Sequence, residues 1–335
     1  MAKAANVSPM AVSKALHGKG ANVGVSVETA EHIRRIAKEL GYRPNELARR
    51  FRRQQTLVIG VVFERFLRIT GRSLYPAMLL DGILQTAFDS GYTVALCASL
   101  NDPRTTETFG DGRFDGLLWA KFSNDERSRR LANECPVPLV LIHTPELSIP
   151  DVPNFCCDNV QAVRLGVEYL KNKGHRRIAF IRDASPVFSE DGFRAEAFLA
   201  ASKEFGLPID ERDILQWSED AHEMGDWLAT KPDHTAIFLW SEYMAGGVIA
   251  QAKRHGLRIP EDFSVLGFDS SDYCEQLRPR LTAINQPIEQ IAADATRALI
   301  QMLDGKKVRS APLYPCTLDE RESVGAPRAV RLLCA

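Results

Sequence analysis

Between residues 57 and 269 the chain alternates short, continuously apolar runs with amphipathic stretches, and this alternation limits the possible folds more than any other feature. The apolar runs are LVIGVVF (57–63), TVALCAS (93–99), GLLWAKF (116–122), PLVLIH (138–143), RIAFIR (177–182), TAIFLW (235–240) and SVLGFD (264–269). Runs that stay apolar throughout are typical of strands buried on both faces, and helices between them indicate parallel strands. The number of runs predicts two doubly wound α/β lobes, each built on a parallel sheet.

The first 55 residues have a different pattern, which is helical and strongly basic. They carry eleven lysines and arginines against four acidic residues, whereas the whole chain has a formal net charge of -1. Neutralisation of phosphates supplies the sequence-independent part of the affinity for nucleic acid. We therefore predict a small all-α head that binds nucleic acid.

A third stretch, YRPNELARRFRRQQ (42–55), joins the head to the lobes. Pro44 ends the preceding helix, and a new short helix can begin after Asn45. A helix this short is marginal by itself in water, and its four arginines favour a polyanion as its partner. For an isolated arginine run, a solvated basic linker is the usual interpretation.

Several segments together resemble the lactose and purine repressor family over residues 2–323. They are VSPMAVSKALHG, YRPNELARR, QTLVIGVV, FDGLLW, CCDNVQAVRLGVEYLKNKGHRRIAFI, GLRIPEDFSVLGFD, RLTAINQP and LDERES. The resemblance implies a helix-turn-helix head (1–43), a hinge helix (44–55), a two-lobed effector-binding domain with a fold like that of periplasmic binding proteins (56–323) and a tail (324–335). It implies an N-lobe of residues 56–158 and 287–312, and a C-lobe of residues 159–286 and 313–323.

The same resemblance places DNA contacts in the head and in the hinge helix. The family's first helix begins upstream of Ala2, so we expect that helix to be incomplete here. Residues 8–17 match the helix that enters the major groove, where core packing is the alternative role for Met10. Pro9, Met10 and Lys14 match positions that read base edges, and Ser8, Ser13 and His17 match backbone contacts. The implied hinge contacts are Asn45, Ala48, Arg49, Phe51 and Arg52, with Phe51 as the apolar wedge between base pairs.

An effector would bind between the lobes, at the carboxyl ends of the strands. Asp269 and Arg194 match the family's ligand-binding aspartate and arginine, and we expect them on opposite walls, where both would bond to neighbouring hydroxyls. Trp217 matches a position that stacks on a sugar ring, and Ser241, followed by Glu242, replaces an Asn-Asp pair. Tyr75 is a further candidate. Without the resemblance, Arg194 could equally be a surface residue and Trp217 a core residue.

Enzyme, metal and membrane classes find no support in the residues. The sequence contains no GxSxG, GKS or GKT motif and no CxxC pair, and His222-Glu223 lacks the second histidine of a zinc-protease motif because Asp226 stands there. The seven cysteines are scattered, which favours reduced thiols in the cytoplasm. We predict no catalytic residues, no cofactor, no bound metal and no membrane span.

These features together predict a homodimeric, cytoplasmic transcription regulator, expected to be a repressor. It would bind a double-stranded DNA operator and respond to a small-molecule effector, with a carbohydrate the expected ligand. The alternative is a cytosolic small-molecule sensor whose shortened head no longer binds DNA. An enzyme built on the binding fold is a third, weaker option.

Overall fold

The computed structural model describes residues 1–17, 25–42, 55–63, 73–97, 109–120, 126–144, 149–184, 189–230 and 232–327. The chain divides into two compact units, Met1–Thr56 and Leu57–Ala335. The predicted hinge contacts lie outside the described residues and stay predictions; they are Asn45, Ala48, Arg49, Phe51 and Arg52.

The first unit contains two helices, α1 (Pro9–His17) and α2 (Val27–Glu39). Each begins after a serine whose side chain accepts a backbone hydrogen bond: Ser8 Oγ from Ala11 N at 3.1 Å, and Ser26 Oγ from Thr29 N at 3.2 Å. These caps satisfy amide groups that have no partner inside the helix.

A single helical turn precedes α1 and packs on both helices. Asn6 ends this turn with φ 51°, and Val7 N donates to Ala2 O at 3.1 Å, as in a Schellman ending. The buried core of the head contains one residue of this turn together with apolar residues of α1 and α2. They are Ala5, Val12, Ala15, Ala30 and Ile33.

The second unit begins with a five-stranded parallel sheet, ordered β2-β1-β3-β4-β5. Its elements are β1 (Val58–Phe63), α3 (Tyr75–Asp89), β2 (Thr93–Cys97), β3 (Gly116–Ala120), α4 (Glu126–Asn133), β4 (Leu139–Ile142) and β5 (Asn154–Phe155). Four of these strands coincide with predicted apolar runs. The fifth, β5, is two residues long, too short to leave a periodic pattern in the sequence.

A second sheet of six strands follows, ordered β11-β10-β9-β8-β6-β7, with only β11 antiparallel among the described strands. Its strands are β6 (Ile178–Asp183), β7 (Ile214–Trp217), β8 (Ala236–Leu239), β9 (Ser264–Asp269), β10 (Thr282–Asn285) and β11 (Thr317–Asp319). The helices of this part of the chain are α5 (Asn159–Asn172), α6 (Ser189–Glu204), α7 (Met224–Ala229), α8 (Ala245–Arg254) and α9 (Tyr273–Gln276), and a further helix, α10 (Ile288–Leu303), lies between β10 and β11. The edge strand β7 was not among the predicted runs, since its half-exposed face carries polar Gln216. The two sheets confirm the predicted pair of α/β lobes, here called the N-lobe and the C-lobe.

Helix α10 (Ile288–Leu303) returns the chain to the N-lobe, where it packs against α3. The chain therefore crosses between the lobes at residues 156–158, at residues 286–287 and again between α10 and β11. None of the described helices is long and apolar enough to cross a membrane.

Gly82 allows the close packing of α3 on α10, and a side chain there should be costly. A Cβ at Gly82 would collide with the carbonyl oxygen of Glu289 and lie 2.9 Å from Cβ of Ala292. We expect Gly82→Ala to lower the free energy of unfolding by about 1–3 kcal/mol, because the two helix backbones must separate. Gly192→Ala is the matched control: among the described side chains, its Cβ would have only Arg182 Nη2 nearby, at 3.9 Å. Equal stabilities of the two variants in urea denaturation would contradict this account of the helix contact.

Candidate functional site

The carboxyl ends of β6, β8 and β9 meet at one edge of the C-lobe sheet, because these neighbouring strands are parallel. Asp183 ends β6, Trp240 and Ser241 follow β8, and Asp269 ends β9. Crevices at the carboxyl ends of parallel strands are where open α/β sheets bind ligands. The candidate site is built on this edge.

Asp269 lies in an unusual backbone conformation. Its φ is 96° and that of the following Ser270 is 58°, although neither residue is glycine. Positive φ at two consecutive non-glycine residues is unfavourable and persists only where the surroundings enforce it, which is typical of functional sites. The turn aims the Asp269 side chain at the ends of the neighbouring strands.

The Asp269 carboxylate is 4% exposed and accepts hydrogen bonds from two side chains. Ser241 Oγ donates to Oδ2 at 2.6 Å, and Gln286 Nε2 donates to Oδ1 at 2.5 Å. Ser241 was predicted from the sequence. Gln286 was not predicted, although it lies in the quoted motif RLTAINQP. Its amide oxygen is buried and finds no hydrogen-bond partner among the residues that the structure describes.

Arg194 lies on α6 and is 2% exposed. Its Nη1 is 4.0 Å from Asp269 Oδ1 and donates to the Trp240 carbonyl oxygen at 2.6 Å, while Nε donates to Asn159 Oδ1 at 2.8 Å. The guanidinium carbon is 3.5 Å from the centre of the Phe268 ring, a cation–π contact. The alternative of a surface arginine is therefore wrong.

The expectation that Arg194 and Asp269 stand on opposite walls is also wrong. Helix α6 follows β6 in the same sheet that contains β9, so both residues belong to the C-lobe and form one ion pair. Asn159, the first residue of α5, accepts the hydrogen bond from Arg194 Nε and was not predicted from the sequence. The only sequence feature that marks Asn159 is its place next to Asp158, whose side chain caps α5.

Glu242 directly follows Ser241 in the chain and is fully buried. Its carboxylate accepts hydrogen bonds from Ser271 N at 2.7 Å, from the Ser271 hydroxyl and from Cys274 Sγ at 3.0 Å. It thereby fixes the loop that follows Asp269. Burial, and next the neighbouring Asp269 carboxylate, raise the pKa of Glu242 to about 7.

This raised pKa predicts a pH dependence of stability. Between the unfolded pKa and about 7, unfolded chains lose the Glu242 proton while folded chains keep it, so stability falls as pH rises through this range. We expect the stability of the wild-type protein to fall between pH 5 and pH 8 by about 3 kcal/mol more than that of Glu242→Gln. Exposed Glu261 provides the control Glu261→Gln, which should follow the wild-type profile. Parallel denaturation profiles for wild type and Glu242→Gln would contradict the expectation.

The N-lobe contributes Tyr75, at the start of α3, and His143, just after β4. Both are buried, and the Tyr75 hydroxyl lies 2.5 Å from His143 Nδ1. His143 has φ 54°, a second strained residue at the carboxyl end of a strand. Tyr75 was predicted from the sequence, whereas His143 was not.

Trp217 ends β7 at the edge of the C-lobe sheet and is 2% exposed. Its ring packs edge to face on Trp227, with the ring centres 5.5 Å apart. Three strand spacings, about 14 Å, separate β7 from β9. A role in effector binding stays a prediction for Trp217, and its contacts are those of a core residue.

The exposed face of α1 presents the predicted base-reading residues. Met10 is 68% exposed, which excludes core packing, and Pro9, Lys14 and Ser8 are exposed as well. Ser13 is half-buried. The side chain of His17 lies outside the described part of the chain.

The site contains hydrogen-bonding groups of both kinds but no set of metal ligands. Within the described ranges, no group of three or more histidine, cysteine or carboxylate side chains is arranged to hold a metal ion. The edge offers carboxylate and amide oxygens as acceptors and a guanidinium as donor. Such groups bind and orient a polar molecule without reacting with it.

Comparisons with known proteins agree with this organisation. Residues 1–45 match "Bacterial regulatory proteins, lacI family", and residues 167–324 match "Periplasmic binding protein-like domain". The HTH-type transcriptional repressor CytR of Escherichia coli strain K12 is 30% identical, covering 96% of this chain and 94% of its own length. Catabolite control protein A of Priestia megaterium is 28% identical, covering 96% and 97%.

Solved structures give the same result. A transcriptional regulator CelR–cellobiose complex has a TM-score of 0.72 at 26% identity, covering 96% of this chain and 98% of that one. A lac repressor dimer bound to operator has a TM-score of 0.82 at 22% identity, covering 97% and 98%, a likeness of fold. These matches confirm the predicted fold and the regulator class in place of an enzyme. The chain belongs to the lacI family of bacterial regulatory proteins.

Proposed function

We propose that this protein is a cytoplasmic, homodimeric repressor that binds an operator through its head and is controlled by a neutral, polyhydroxylated effector bound between the lobes. The observation that carries the proposal is the Arg194–Asp269 pair, buried at the carboxyl edge of the C-lobe sheet beside the unpartnered Gln286 amide oxygen. The CelR relative's complex with cellobiose supports a carbohydrate as the ligand class.

The charges and the unused hydrogen-bonding groups of the site favour a ligand with hydroxyl groups over a charged ligand. Arg194 and Asp269 compensate each other's charge, so a charged ligand would be buried here without a counter-charge of its own. Arg194 Nη2 has no hydrogen-bond partner in the described structure, whereas Asp269 and Gln286 offer acceptor oxygens. Neighbouring hydroxyls donate to such acceptors and accept from such a donor.

Regulation would act through the angle between the lobes. A ligand that contacts Asp269 in the C-lobe and the Tyr75–His143 pair in the N-lobe would stabilise one lobe angle over others. In a dimer, this shift would change the spacing of the two hinge helices and hence the operator affinity. The effector and the DNA would thereby be coupled without contact.

DNA binding would combine contacts between α1 and base edges with insertion of the hinge side chain Phe51 between base pairs. We assign base contacts to Pro9, Met10 and Lys14, since exposed Met10 can contact a thymine methyl and exposed Lys14 can donate to guanine. We assign backbone contacts to Ser8, Ser13 and His17. The operator-bound lac repressor dimer, which has the same fold, supports an operator as the DNA partner.

The test joins a ligand screen with a DNA selection on the full chain. A thermal-shift screen with monosaccharides, glycosides and nucleosides should identify an effector, and selection from a random duplex library should enrich a pseudo-palindromic site. Adding the effector should change the operator Kd by ~5–150-fold. A ligand hit with no enriched duplex, even at low salt, would instead favour the sensor that no longer binds DNA.

A further inference from the structure

Two buried cysteines lie on different crossings between the lobes. Cys157 is in the first crossing, between β5 and α5, and Cys316 is in the third, just before β11. They are 2% and 4% exposed, respectively, and both are free thiols. A bond between them would join two of the three segments that connect the lobes.

The backbone holds these two crossings side by side. Tyr314 N donates to Cys156 O at 3.0 Å, Asp158 N donates to Tyr314 O at 2.8 Å, and Cys157 and Tyr314 form a parallel bridge. The Gln161 side chain then fixes Cys316 from both sides. Its Oε1 accepts from Cys316 N at 2.9 Å, and its Nε2 donates to Cys316 O at 3.1 Å.

The Cys157 thiol lies within hydrogen-bonding reach of the Cys316 thiol. Hydrogen bonds from the thiols of Cys156 and Cys316 lower the pKa of Cys157 more than its burial raises it, and the nearby Arg194 guanidinium lowers it further. The hydrogen bond with Cys157 raises the pKa of Cys316. The Cys157 thiol therefore loses its proton more readily than the Cys316 thiol, so Cys157 becomes the thiolate and Cys316 keeps its proton.

Cys156 is the less suitable partner for Cys157. Its thiol also lies within hydrogen-bonding reach of Cys157, but a disulfide between adjacent residues requires a distorted backbone. Cys156 Sγ accepts a hydrogen bond from Asn159 Nδ2 at 3.7 Å as well. By contrast with Cys157, burial raises the pKa of Cys135, and it raises that of Cys97 to about 11.

We propose that Cys157 and Cys316 form a peroxide-responsive thiol pair whose disulfide ties the first and third crossings and fixes the angle between the lobes. The Cys157 thiolate attacks the O–O bond of a hydroperoxide, which yields a sulfenic acid and releases hydroxide or alkoxide. The Cys316 thiol then displaces the sulfenic hydroxyl group, which leaves as water, and the S–S bond forms. The peroxide takes up both electrons, and a dithiol later reduces the disulfide to two thiols by exchange and is itself oxidised to a disulfide.

This pair lies next to the effector site, which gives the disulfide a regulatory consequence. Asn159 bonds to both Arg194 and Cys156, so the first crossing touches the residues that would bind the effector. A disulfide between the crossings would oppose the lobe movement by which effector and operator are coupled. This consequence rests on the proposed function, whereas the formation of the bond does not.

The bond is tested by treating the full-length protein with hydrogen peroxide and mapping it by mass spectrometry without reduction. Proteolytic cleavage after Phe155 separates Cys135 from the crossing. We expect a peptide containing Cys157 joined to one containing Cys316, present in wild type and in Cys156→Ser, and absent in Cys316→Ser. The Cys316→Ser protein should instead accumulate a sulfenic acid at Cys157 that reacts with dimedone.

Two results would overturn the proposal. One is that Cys157 and Cys316 stay reduced at a peroxide concentration that oxidises the half-buried Cys97; the other is a cross-link that disappears in Cys156→Ser. Neither measurement needs an effector or DNA, so both are independent of the proposed function. For the regulatory consequence, oxidation should reduce the effector-induced change in operator Kd, ~5–150-fold when reduced, to less than ~2-fold, reversibly with dithiothreitol. An undiminished change in the cross-linked protein would refute the fixed lobe angle.

Discussion

Asp269→Asn should raise the Kd for the effector by ~30–1000-fold, because it removes the charge that faces Arg194 and the oxygens that receive the ligand's hydroxyls. Loss of one partner of a buried charged hydrogen bond costs about 2–4 kcal/mol of binding energy. Asparagine keeps the shape of the side chain, tolerates a positive φ and can still accept from Ser241. The fold should therefore survive, although the free energy of unfolding should fall by about 3 kcal/mol since Arg194 stays buried without its counter-charge.

The measurement is calorimetric titration with the effector found by the thermal-shift screen. Asp272→Asn is the matched control, because Asp272 is an exposed acid on the same loop. It should bind the effector like wild type. A wild-type Kd for Asp269→Asn would remove Asp269 from the effector site and would leave its strained backbone unexplained.

Phe51→Ala should weaken operator binding by ~30–150-fold, and this is the largest effect we expect from a change outside the lobes. The prediction follows from the resemblance, in which Phe51 is the apolar wedge that unstacks a base step and kinks the duplex. Removing the wedge costs about 2–3 kcal/mol of the contact energy that a kinked duplex provides. Effector affinity should be unchanged, because the effector would bind to the second unit.

Fluorescence anisotropy with the selected operator measures this effect. Val27→Ala is the control, since Val27 is a 73% exposed apolar residue of the head at the start of α2. It should bind the operator as tightly as wild type. If Phe51→Ala and Val27→Ala bind equally well, the hinge does not insert into the duplex.

The sequence predicted the features that depend on neighbouring residues. The strand that ends in Asp269 was found because its apolar run depends only on residues that are neighbours in the sequence. Strands β5, β7 and β10 were missed because they are only two to four residues long, and β5 and β7 are also partly exposed, so their apolar pattern is weak. In each missed case the neighbouring strand, rather than the strand's own residues, makes the position a strand.

The site was predicted in part, and the errors have one cause. Resemblance located Arg194, Ser241 and Asp269, and the structure brings them together, but on one wall rather than two. Asn159 and Gln286 were missed, since no local pattern marks a residue whose partner is distant in sequence. Both contact the site only because the lobe crossings pass beside it.

The sequence by itself determined that this chain has a basic helical head, parallel sheets in two lobes and an aspartate at the end of a buried strand. These properties follow from hydrophobic periodicity and charge, which depend only on residues that are close together in the sequence. Only the tertiary structure decided that Arg194 pairs with Asp269 within one lobe, that His143 joins Tyr75, and that the Gln161 side chain holds Cys316, 155 residues away. Such contacts are set by how the sheets order their strands and by where the chain crosses between lobes, and no single segment encodes either.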